Sequence, residues 1–162
     1  MSKLLALVPL FVISAFPLAA DPRPDFDSGY GFTMDAPAVD DIDQASGQVC
    51  AFFLPTEDGF ASNINVMKQA YDGTIEEYDT LSLGQFEQLG YTVIQHTLGS
   101  DSAAYEYVGN FQGKKLHWYS TAVKVGNAVL LATATGPNRL WEKQGPVLKA
   151  SVDSLRLKNE DN

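Results

Sequence analysis

The chain has 162 residues, with 20 acidic and 11 basic side chains, a formal charge of -9, and 45% hydrophobic and 11% aromatic residues. That is the make-up of one folded domain. It excludes a disordered polar chain, and the sequence pI of about 4.5 excludes the basic footprint of a nucleic-acid binder.

Residues 1–20 read as a secretory signal. Lys3 is the only charge, Leu4 to Phe16 is apolar apart from Pro9 and Ser14, and Leu18-Ala19-Ala20 supplies small residues before Asp21. Those are the charged, apolar and cleavage regions of an export signal. The apolar run is too short and interrupted for the roughly 20 residues a membrane-spanning helix needs. Cleavage after Ala20 leaves 142 residues with 20 acids and 10 bases and no anchor of their own, so the expected location is periplasmic or secreted. Cys50 is the only cysteine, so no disulfide forms within the chain; its apolar neighbours in Val49 to Leu54 read as a buried strand.

Asp21 to Ser28, rich in proline and aspartate, reads as a mobile leader, and the folded domain is expected over residues 29–158. Strands are predicted at Tyr30 to Met34, Val49 to Leu54 and Asn63 to Met67. Thr74 followed by Glu77 has the capping-box spacing, and Glu76 and Glu77 suit the positive end of a helix dipole, so a helix starts there. Tyr78, Leu81, Phe86 and Leu89 are its expected apolar stripe, and Gly90 its stop.

Four strands follow, Tyr91 to Leu98, Ala103 to Phe111, Lys115 to Val125 and Ala128 to Thr135. Their short connections through Gly99-Ser100-Asp101, Gln112-Gly113 and Gly126-Asn127 predict an antiparallel meander. A second helix carries Leu140, Trp141, Leu148, Val152 and Leu155, and Pro146 in its middle predicts a kink or a fresh start. Residues 159–162 should fray. The expected fold is α+β, an antiparallel sheet of about seven strands flanked by helices.

Gly29-Tyr30-Gly31-Phe32 with Pro37 soon after, Asn63-Ile64-Asn65-Val66 ahead of a helix containing Tyr78, the meander and the closing helix together resemble the PsbP, Mog1 and DcrB-like superfamily over residues 29 to 157. The resemblance implies an α/β/α sandwich and a non-enzymatic accessory, chaperone or binding role. Where the family often has a tryptophan soon after the early proline, this chain has Ala38-Val39-Asp40. The family has no shared catalytic motif to carry over.

The residues themselves point the same way. No nucleophile elbow and no His-Glu-x-x-His is present, and the two histidines, His96 and His117, sit inside strands. No motif calls for a cofactor. Asp40, Asp41 and Asp43, with Asp35, Glu57 and Asp58, are a weak calcium candidate, because they lack the alternating register that converges on one ion; a solvated acidic loop is the preferred reading. Tyrosine and tryptophan anchor interfaces, so Tyr105, Tyr107, Phe111, Trp118 and Tyr119 are the candidate binding residues, with a core role weighed for each.

The expectation is an exported, non-catalytic binding or accessory protein whose partner is another envelope or secreted protein. The alternatives are an immunity or inhibitor protein against a toxin or envelope enzyme, and a binder of a small ligand or calcium. The charge divides unevenly: residues 21–58 hold nine acids and one base, whereas residues 114–158 hold two acids and eight bases. A two-signed surface is therefore expected, which suits a uniformly acidic inhibitor poorly.

Overall fold

The computed structural model describes residues 23–28, 31–36 and 48–158. Residues 1–20, expected to be an export signal, together with Asp40, Asp41, Asp43 and residues 159–162, lie outside the described residues. Among the described residues nine strands, β1 (Arg23–Asp27), β2 (Phe32–Ala36), β3 (Gln48–Phe53), β4 (Asn63–Ala70), β5 (Thr92–Leu98), β6 (Ser102–Phe111), β7 (Lys114–Val125), β8 (Ala128–Pro137) and β9 (Arg156–Leu157), accompany helices α1 (Ile75–Gln88) and α2 (Trp141–Asp153). A 3-10 turn at Asn138–Leu140 leads into α2. No helix among the described residues is long and apolar enough to cross a membrane.

The fold is α+β. Six strands form one antiparallel sheet in the order β3-β4-β8-β7-β6-β5, and β1, β2 and β9 form a second, small sheet. The expected antiparallel sheet flanked by helices is present, with six strands in the large sheet; the first predicted strand is β2, and it pairs with β1 and β9 instead of β3. Residues 23–27, read from sequence as leader, supply β1. Phe32, Met34 and Ala36 alternate into the core, so β2 packs as a lid on the large sheet instead of extending it.

The meander formed as predicted because its turns are chemically specified. Gln112 and Gly113 both take positive φ, 48° and 76°, the conformation of the two-residue hairpin turn that matches strand twist. Thr74 caps α1 reciprocally: Glu77 N–H donates to Thr74 Oγ1 at 3.3 Å, and Thr74 N–H donates to Glu77 Oε2 at 2.9 Å. At the other end Gly90, at φ 69°, lets its N–H reach Glu87 O and that of Tyr91 reach Phe86 O, closing the helix.

The buried stripe of α1 is Ile75, Tyr78, Asp79, Ser82 and Phe86. Leu81 and Leu89, expected in it, are exposed. Spacing explains the difference, since positions 75, 78, 79, 82 and 86 follow one helix face whatever their polarity. Pro146 does not restart the helix; α2 runs from Trp141 to Asp153 through it. Pro146 lies on the exposed face, where water can take the Glu142 carbonyl it leaves without a donor.

The two faces of the large sheet carry separate cores. Under α1, Ile75, Tyr78 and Phe86 pack on Tyr105, Tyr107 and Trp118. On the opposite face, Trp141, Leu148 and Val152 of α2 and Phe32 and Met34 of β2 pack on strands that include Phe52. Cys50 is buried in this second core.

Candidate functional site

The structure corrects the aromatic candidates. Tyr105, Tyr107 and Trp118 are buried core, because residues 105, 107 and 118 face α1 and Phe86 stacks on Tyr107 at 4.2 Å. Tyr91 continues the stack onto Trp118 at 4.8 Å. The Tyr107 hydroxyl is satisfied internally by Ser120, 3.3 Å away, which donates on to Thr133. Phe111 is half-buried at the end of the same face. Only Tyr119 lies on the other face, and its hydroxyl donates to Asp153 Oδ1 of α2 at 2.6 Å. Burial first, then the Asp153 hydrogen bond, pushes its phenol up to about 12.

Both histidines hold carboxylates. His96 Nε2 meets Asp79 Oδ1 at 2.7 Å, and its ring lies parallel to Tyr105. His117 shares the Tyr119 face but pairs with Glu106, Nε2 to Oε1 at 2.9 Å, while its Nδ1 faces Asn138 Oδ1 at 3.3 Å. Its ring stacks on Trp141 at 4.2 Å with 9° between planes.

Glu106 is the centre of this second group. Its Oε1 accepts from His117 and from Trp141 Nε1 at 3.1 Å, and its Oε2 accepts from Lys149 Nζ at 2.6 Å. Burial alone would push the carboxyl up; hydrogen bonds from Lys149, Trp141 and His117 outweigh it and hold Glu106 below the usual carboxylate range. Burial also lowers His117, against the pull of the Glu106 and Asn138 hydrogen bonds. Lys149 sits 4.8 Å from the centre of the Tyr119 ring as well.

This arrangement ties α2 to β6 and β7, and each acceptor of the carboxylate has a protein donor. Sequence reasoning missed Glu106, Lys149 and Asn138. A readable signal was present: Glu106 is a charge between two core tyrosines, on the strand face where Ala104 and Val108 lie. Of the other acidic candidates, Glu57 pairs with Lys143 and Asp58 with Arg139, while Asp35 joins β2 to Ser151 and Ser154 through its backbone. Among the described residues no three metal-ligating side chains converge.

The least covered part of the large sheet is its β5 edge. At the opposite edge β3 is buried at five of its six residues. β5 is exposed at six of seven, carries no lysine, arginine, acid or proline, and shows Ile94 at 56% and Leu98 at 42% exposure. Edge strands are ordinarily guarded by such residues; here only a bulge between Val93 and Gln95 interrupts the pairing with β6.

No family model and no curated protein matches the chain. Solved structures do. A Pseudomonas aeruginosa protein of unknown function, PA94, superposes with a TM-score of 0.61 at 17% identity, over 78% of this chain and 92% of that one. LpqN of Mycobacterium tuberculosis, a protein involved in cell envelope biogenesis, gives 0.55 at 15% identity, over 85% and 90%. The cyanobacterial PsbP of Synechocystis gives 0.51 at 9% identity, over 93% and 98%. With the sheet order and the helix on each face, these likenesses show that the chain has the PsbP/Mog1/DcrB-like fold.

Proposed function

We propose that this chain is an exported, non-catalytic accessory protein of the cell envelope, periplasmic or secreted, that binds another protein by accepting an extended segment along β5. The observation that carries the reading is the exposed, unguarded edge. Among the described residues its outer side has no strand partner, and strand addition to such an edge gives affinity through main-chain hydrogen bonds and selectivity through alternate side chains. Ile94 and Leu98 offer the apolar contacts. The saturated Glu106 cluster supports a role without catalysis, and the export signal and the likeness to LpqN support the compartment.

A photo-crosslinking side chain placed at Ile94 in the full-length chain, expressed in its own host, tests this. Expected are recovery of a mature protein beginning at Asp21 from the exported fraction and one crosslinked partner identified by mass. That crosslink should vanish on Thr97→Pro and be absent from a probe at Lys124. A crosslink only to a second copy, or equal crosslinking from both positions, would overturn the proposed partner.

A further inference from the structure

At the end of the sheet where the Asp58-Gly59 turn, the Gln112-Gly113 turn and the 3-10 turn converge lies a cleft of about 320 Å3. Phe60, Leu116 and Pro137 supply apolar lining, and Lys114, Lys115 and Arg139 supply charge. The one acid there is Asp58. We propose that this cleft binds a small amphipathic anion, a carboxylate or phosphate group carried on a short apolar chain.

Charge is the first reason. In a chain of net charge -9, three cations against one carboxylate lining a single cleft stand out and favour an anion there. Among the described residues Lys114 and Lys115 form no ion pair; Lys114 Nζ instead lies 5.3 Å from the centre of the Phe60 ring. Arg139 shares Asp58 at 3.3 Å, but both side chains are more than half exposed, so that pair is weak and can yield to a ligand.

Shape is the second. Small-ligand sites are mostly apolar clefts with a few placed polar groups, and this volume suits a short chain with a headgroup at the mouth. Its walls are held in place. Glu57 and Phe60 exchange backbone hydrogen bonds of 3.0 and 3.1 Å. The Glu57 carboxylate takes both a 2.9 Å bond to each oxygen from Lys143 and a 3.1 Å bond from Gln144, and Ser62 donates to Gln144 Oε1 at 2.5 Å. A site ordered before binding loses less entropy when filled. The cleft shares no residue with β5, so this inference stands apart from the strand-addition reading.

Calorimetry with octanoate, octyl phosphate, octanol and inorganic phosphate tests it on the folded protein. One equivalent of octanoate or octyl phosphate should bind saturably, the tighter of the two assigning the headgroup, with octanol and inorganic phosphate at least about tenfold weaker. The double variant Lys114→Gln/Lys115→Gln should weaken binding about tenfold, equivalent to about 1.4 kcal/mol, with unchanged melting of the unliganded protein. Ile94→Lys should leave binding as it is. Octanol binding as tightly as octanoate, undiminished binding to the double variant, or no saturable heat from either anion would overturn the proposal.

Discussion

Glu106 of β6 and Lys149 of α2 meet at 2.6 Å across the groove between sheet and helix, with the carboxylate only 12% exposed. The same carboxylate holds His117 and Trp141, so one side chain joins two strands and a helix. Glu106→Gln keeps the shape but removes the charge and turns one acceptor into a donor facing a donor. We expect a loss of about 2 kcal/mol in urea unfolding, because the Lys149 and His117 donors then lack a charged acceptor. Lys149→Met should cost less, since Lys149 reaches water, and the double variant should fall short of the sum of the two losses.

The same group sets an acid limit. His117 is lowered in the fold relative to its ordinary value of 6.5, so the unfolded chain takes up protons first and stability falls as pH drops below about 6.5. Glu106 is lowered from 4.5; its contribution is present above that value and is lost as pH falls through the folded pKa. Melting temperature should therefore decline in two stages on acidification. His117→Gln should flatten the upper stage and leave the lower; a profile unchanged by the substitution would contradict the assignment.

Two glycines should respond in opposite directions. A Cβ at Gly109 would come within 2.2 Å of the Tyr91 ring, which stacks on Trp118, so Gly109→Ala should destabilise by about 1–3 kcal/mol through overpacking. A Cβ at Gly84, inside α1, meets no atom within 4 Å. Gly84→Ala should stabilise by about 0.5–1 kcal/mol, measurable as a higher urea midpoint.

Thr74→Ala removes the acceptor for Glu77 N–H and breaks the reciprocal cap. Expected is a loss of about 1 kcal/mol in urea unfolding, and Thr74→Ser should recover most of it.

Local chemistry made much of the architecture legible. The capping box at Thr74 and Glu77, the left-handed stop at Gly90 and the Gln112-Gly113 turn each work through neighbours in sequence, so the first helix and the four-strand meander could be read directly. Period-two alternation placed residues 105, 107 and 111 on one face of their strand, but alternation is silent about what covers that face. Only the packing of α1 decided that Tyr105, Tyr107 and Trp118 are core. The same holds for β2, whose strand character was visible but whose partners, β1 and β9, are remote in sequence. The Glu106 cluster draws on residues 106, 117, 138, 141 and 149 from two strands, a turn and a helix, and the cleft gathers Phe60 and Arg139 from two separate turns and Lys114 from the start of β7. In both, the charges gain their meaning from neighbours that only the folded chain supplies, because distance and burial, not residue type, set the strength of a charge interaction.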